Sequence, residues 1–172
     1  MAATLRATEP PRFRAFIGLG ANLGPAREQL QAALARMAAL PWTRLEAASS
    51  FYVTKPVGAQ GPDYLNAVAS LDTALGPHEL LRALLGIELR LGRERPWPNA
   101  PRTIDLDLLW MDGARRRSEA LTLPHPRLFE RAFVLEPLAE LLGHLVPKTT
   151  DPVLPSLAQR RKLALDQGIA LE

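Results

Sequence analysis

Two aspartates stand at alternate positions in a segment that otherwise reads as an apolar strand, Pro101-Arg102-Thr103-Ile104-Asp105-Leu106-Asp107-Leu108-Leu109. Strand side chains alternate, so Asp105 and Asp107 leave one face about 7 Å apart while Ile104, Leu106 and Leu108 leave the other. The pattern calls for a sheet with one face that packs and one that binds. Unpaired buried carboxylates are strongly disfavoured, so neighbouring acids on a sheet face need cations, either arginines or a bound metal. Mg²⁺ takes one or two protein carboxylates together with water and substrate phosphates, which this Asp-x-Asp can supply alongside the arginines just upstream. On the pattern alone, a pair of acids that caps a strand end or forms structural ion pairs is an equal alternative.

The chain has 172 residues, 47% of them hydrophobic, enough for a single domain with a proper core. It contains no cysteine, which leaves neither a disulfide framework nor a thiolate metal site and makes a reducing cytoplasm the expected compartment. No apolar run approaches the roughly 20 residues of a membrane span, and Met1 to Pro11, expected to be flexible, lacks the order of a secretion signal. The net charge is +3, and the basic set is arginine-rich, with Lys55, Lys148 and Lys162 its lysines. Arginine suits forked recognition of phosphate oxygens, although coding bias or heat adaptation accounts for most surface arginines.

Alternation around Phe13, Ala15 and Ile17 predicts a first strand from Arg12 to Leu19 that stops at glycines. A helix follows from Pro25, with Leu30, Ala33, Leu34 and Met37 on one side and Pro41 beyond its end. Trp42 to Thr54 reads as one continuous second strand, Lys55 to Asp63 as a loop and Tyr64 to Thr73 as a third strand. A second helix spans Pro77 to Leu91 and ends at Gly92; a second loop, Arg93 to Arg102, carries Pro96, Pro98 and Pro101 before the Asp-bearing strand. The order βαββαβ is that of an α+β, ferredoxin-like sandwich. Asp112-Gly113 signals a hairpin into a further strand near Leu121 to Leu123, and helical stretches near Arg131 to Leu142 and Pro155 to Gln167 are available to cover remaining faces. Gly18-Leu19-Gly20-Ala21-Asn22-Leu23-Gly24 fits neither the Rossmann nor the P-loop spacing and is expected to be a tight turn.

Phe16 to Gly24, Ser50-Phe51-Tyr52-Val53-Thr54, Asp63-Tyr64-Leu65-Asn66, Pro101 to Leu109 and Leu123-Pro124-His125-Pro126 occur in an order that resembles the 6-hydroxymethyl-7,8-dihydropterin pyrophosphokinases of folate synthesis. The resemblance runs from about Arg14 to Leu138. It implies an enzyme that moves the β,γ-pyrophosphoryl unit of ATP onto the pterin hydroxymethyl group and leaves AMP. It also implies that Asp105 and Asp107 hold two Mg²⁺ ions, that Arg93, Arg102 and Asp107 serve catalysis, and that Glu88, Arg95, Thr122, His125 and Arg131 serve the nucleotide. For the pterin it implies Thr54, Val57, Gly58, Tyr64, Asn66 and Phe133. Phosphoryl-type transfer asks mainly for positioning and charge neutralisation, so metal and arginine can carry most of the load.

Two departures stand out. Where many members of that family read Arg-Trp-Gly-Pro-Arg, this chain has Pro98-Asn99-Ala100-Pro101-Arg102, with Trp97 two places earlier. An aromatic and an arginine common among them near the Leu-Pro-His block are replaced by Pro126 and Ala120. The expected molecule is a cytoplasmic monomer acting on ATP and the pterin, with no nucleic-acid or membrane partner. The alternative is a ferredoxin-like RNA-binding module, which needs exposed aromatics where the fourth strand offers acids.

Overall fold

The computed structural model describes residues 10–56, 61–93, 102–148 and 151–171. Of the amino-terminal stretch expected to be flexible, residues 1–9 lie outside that set, as does most of the proline-bearing second loop. Strand β1 (Phe13–Ala21) is followed by α1 (Ala26–Ala38), β2 (Thr43–Ala48), β3 (Tyr52–Thr54), β4 (Tyr64–Thr73), α2 (Pro77–Arg90) and β5 (Asp105–Met111). The Asp112-Gly113 turn then leads into a small hairpin, β6 (Arg116–Arg117) with β7 (Thr122–Leu123). Helices α3 (Ala132–His144) and α4 (Leu157–Gln167) and strand β8 (Ile169–Leu171) complete the chain. The last strand had no counterpart in the sequence pattern.

The main sheet runs β5-β1-β4-β3-β8, with β2 also paired to β4, and these pairings are antiparallel. Parity along β1 sorts the core into two layers. Ala15, Ile17 and Leu19 pack with Leu30 and Met37 of α1 and with Leu80, Leu84 and Ile87 of α2. Phe16, Val68 and Leu109 face the other way and pack with Val134, Leu138 and Leu141 of α3. Each buried Leu or Ile contributes about 1.5–3 kcal/mol, so both layers hold the sheet between them. No described helix is long and apolar enough to cross a membrane.

The second strand is not continuous. After Ala48 the Ser49 hydroxyl accepts from the Val68 amide at 3.0 Å, while the Ser49 amide donates to the Val68 carbonyl at 2.9 Å. The chain therefore leaves the ladder at Ser50 and Phe51 and rejoins it at Tyr52. The glycine run corrects a second expectation: Gly18 and Gly20 lie inside β1, and the turn comes later, at Gly24 with φ +63°.

Candidate active site

The open half of the α3-side sheet face forms the floor of a cavity of about 390 Å³. Gly18 and Gly20 occupy its middle, opposite Asp107 and Asp105 of β5, and Gly20 stands opposite Asn66 of β4. A Cβ on Gly20 would come within 3.1 Å of the Asn66 Oδ1, so the missing side chain is what keeps the floor low there. Ile104, Leu106 and Leu108 are buried on the far side, as the alternating pattern predicts.

Asp105 is met by two arginines. Arg93 Nη2 lies 2.6 Å from its Oδ1, and Arg102 pairs with its Oδ2. Arg93 also pairs with Glu88, whose Oε1 accepts from the Leu106 amide at 2.6 Å. Burial pushes the Glu88 carboxyl up, and the bonds from Leu106 and Arg93 offset this only in part. Glu88 lines neither of the site's cavities; it sits beneath them at 2% exposure and anchors Arg93. Asp107 is less fully paired, with Arg131 Nη1 at 3.4 Å. Burial and then the charge of Asp105 push its carboxyl up, against the pull of His125, Arg131 and Arg102. His125 Nδ1 accepts from the Arg127 amide at 3.1 Å, which leaves its other ring nitrogen to carry the proton in the neutral form. Burial pushes the His125 imidazole down; Asp107 works against this, while Arg131 and Arg127 reinforce it.

The opposite wall is built from Thr54, Tyr64, Asn66 and Phe133. Thr54 and Asn66 are both buried, and the Asn66 Nδ2 donates to the Thr54 hydroxyl at 2.8 Å, which fixes the amide with its oxygen over Gly20. The Phe133 ring lies under the Arg131 guanidinium, 5.6 Å from carbon to ring centre. A flat heteroaromatic ring finds an aromatic face and edge-reading groups in this corner. A second cavity of about 370 Å³ opens between α2 and the hairpin, where Leu81, Leu85 and Leu108 meet Thr122. It shares Asp107 and His125 with the first, and Arg93 lines it.

The expected site residues therefore gather around one acidic pair, with Glu88 behind it. Arg95, Val57 and Gly58 lie outside the described residues. Among the described residues no group of three His, Cys, Asp or Glu side chains converges on one point. The donors present, two hard carboxylates on an open face, fit a cation whose remaining ligands are water and phosphate, as Mg²⁺ prefers. Lys55, Arg127 and Gln167 also line the first cavity and carried no motif to mark them. Asn22 lies within the glycine run, where nothing in the sequence marks it. Its Oδ1 accepts from the Arg102 amide at 2.9 Å and its Nδ2 donates to the Pro62 carbonyl at 3.3 Å, tying both loop ends to β1.

A family model described as 7,8-dihydro-6-hydroxymethylpterin-pyrophosphokinase (HPPK) matches residues 16–143. The chain is 47% identical over 136 residues to a 2-amino-4-hydroxy-6-hydroxymethyldihydropteridine pyrophosphokinase from Methylorubrum extorquens, covering 77% of this chain and 85% of that protein. The protein of the same name from Pseudomonas aeruginosa is 47% identical over 133 residues, covering 77% and 82% respectively. In fold, the chain is similar to the crystal structure of Plasmodium falciparum HPPK-DHPS, wild type with STZ-DHP. That match has a TM-score of 0.62 at 14% identity and covers 91% of this chain but 42% of the larger one.

Proposed function

Because this chain belongs to the 7,8-dihydro-6-hydroxymethylpterin-pyrophosphokinase family and so transfers pyrophosphate to hydroxymethyldihydropterin in folate synthesis, we propose that ATP is the donor and that the two adjoining cavities divide the substrates between them. The pterin takes the first cavity, over Gly20 and between Asn66, Tyr64 and Phe133, with Thr54 at its edge; the family resemblance assigns Val57 and Gly58 to the pterin as well. The nucleotide takes the second, by Thr122 and His125, with Arg131 toward its phosphates and Glu88 holding Arg93 in place; the family resemblance assigns Arg95 to the nucleotide as well. The observation that carries this reading is that the cavities meet at Asp107 and His125.

The pterin hydroxymethyl oxygen attacks the β-phosphorus, the bond from that phosphorus to the α,β-bridging oxygen breaks, and AMP leaves. The hydroxyl proton passes to Asp107 or to a phosphate oxygen. Asp105 and Asp107 would hold two Mg²⁺ ions, which when bound neutralise phosphate charge and acidify the attacking hydroxyl. Arg93 suits the phosphate role because it lines the second cavity together with Asp107. Arg102, which lines the first cavity, neutralises charge on the transferred group in this reading.

The βαββαβ order, with β2 and β3 read as one interrupted strand, supports a ferredoxin-like sandwich extended by the hairpin, α3, α4 and β8. A cytoplasmic enzyme agrees with the cysteine-free composition, and a single-domain monomer is part of the same reading. The RNA-binding alternative gains no support, since the sheet face it would use carries glycines and acids. Incubation with ATP, Mg²⁺ and the hydroxymethyl dihydropterin should yield AMP and no ADP. Asp107→Ala should abolish AMP formation while the variant stays folded, because losing this acid relieves its repulsion with Asp105, and Asp105→Asn, which keeps an acceptor for the arginines that meet it, should abolish it as well. Near-normal turnover in either variant would remove the metal assignment.

A further inference from the structure

Beyond the span matched by the family model, residues 16–143, the chain continues into α4 and β8. That segment reaches both walls of the first cavity. On one wall, β8 pairs with β3 so that Ile169 lies opposite Thr54, the residue that holds the Asn66 amide. On the other, the last residue of α4 touches the start of α3. Gln167 Oε1 accepts from the Ala132 amide at 2.9 Å, and its Nε2 donates to the Glu130 carbonyl at 3.0 Å.

These two bonds bracket Arg131. It stands in the N-cap position of α3 with extended backbone, and its side chain makes no capping bond. The first amides of a helix have no partner within it and are commonly satisfied by the N-cap side chain itself. Here Gln167 satisfies one of them from a distant segment, and the Arg131 side chain is left to point elsewhere. Its guanidinium lies 3.4 Å from Asp107 and over the Phe133 ring. The brace is itself fastened, because Arg160 of α4 pairs with Glu136 of α3 at 3.6 Å with both side chains largely buried.

We propose that Gln167 is a positioning residue for pyrophosphoryl transfer: by clamping the backbone on both sides of Arg131 it sets the guanidinium between Asp107 and the Phe133 ring, so the carboxyl-terminal segment completes the site. This rests on the reading of Arg131 as a phosphate-side residue of the nucleotide site. The test is steady-state AMP formation by the full chain in four forms: wild type, Gln167→Met, Arg131→Ala and the double variant. Methionine keeps the length and bulk of glutamine while removing both bonds. Gln167→Met should lower kcat/KM for ATP roughly tenfold, since small misplacements of a positioned group are costly. Gln167→Glu retains the acceptor for the Ala132 amide and should recover much of that loss. The double variant should be no slower than Arg131→Ala alone, because Gln167 acts through Arg131. Wild-type kinetics in Gln167→Met, or two losses that multiply in the double variant, would overturn the inference and leave the rest of the site intact. An Arg131→Ala variant with unchanged kcat/KM would instead overturn the reading of Arg131, and the inference with it.

Discussion

Gly20 sets how closely a flat ring can approach the sheet. Its backbone is ordinary strand, so the constraint is space: an added Cβ would stand 3.1 Å from the Asn66 Oδ1, and Asn66 cannot swing freely while Thr54 holds its Nδ2. Gly20→Ala should therefore raise KM for the pterin roughly tenfold while the melting temperature changes little, a split read by steady-state kinetics beside thermal unfolding. Glu88 is the opposite case, a residue whose effect is exerted from beneath the cavity. At 2% exposure it holds the Leu106 amide and the Arg93 guanidinium. Glu88→Gln keeps an acceptor for the amide but removes the charge that balances a buried arginine, and should cost about 3 kcal/mol in denaturant unfolding. Asp105 and Asp107 were legible in the sequence because acids break an apolar alternation. Gly18 and Gly20 are not legible in the same way, because glycines after a strand ordinarily signal a turn, and nothing local distinguishes a turn glycine from one that clears a pocket floor.

Helices and strands with strong periodicity came out of the sequence nearly at their true bounds; α2 was expected from Pro77 to Leu91 and runs Pro77–Arg90. The failures have a common cause in long-range pairing. The break between β2 and β3 depends on the Ser49 hydroxyl finding the Val68 amide across the sheet, and β8 exists only because β3 offers it an edge. That break is clamped from the other layer. Glu140 of α3 accepts from the Ser50 amide and hydroxyl, both at 2.9 Å, and from the Tyr52 hydroxyl at 2.8 Å. Burial raises the Glu140 carboxyl, but the bonds from Ser50 and Tyr52 outweigh it and the net direction is downward. A folded pKa below the unfolded one gives stability that is present above the unfolded value and lost as pH falls through the folded one. Thermal unfolding followed from about pH 7 to about pH 3 should show Glu140→Gln less stable than wild type at the neutral end, with the gap closing on the acid side. A gap that stayed constant with pH would assign the loss to packing.

At the scale of the whole molecule, one buried arginine joins the sheet to the chain beyond α3. Arg14 of β1, 3% exposed, pairs with Glu46 of β2 and Asp151 at 3.0 Å each and donates to the Val146 carbonyl at 3.0 Å. Glu46 also accepts from Ser70, so three strands and the segment leading to α4 share a single charged knot. Taking the arginine away leaves two carboxylates in a poorly solvated place. Arg14→Met should therefore cost about 3–5 kcal/mol, and added salt should recover little of it, because screening acts weakly on buried charges. The loss should be localised as well as large. Among its described side chains α4 buries no apolar group fully, and the helix is held by the Arg14 knot, the Arg160–Glu136 pair and the bonds of Gln167. Amide exchange in Arg14→Met should accelerate across 151–167 before it does in β1 or β4, since weakly packed segments open below the global unfolding free energy. If exchange rose evenly through the sheet and α4 together, the knot would belong to the common core, and the carboxyl-terminal segment would share the stability of the strands beneath it.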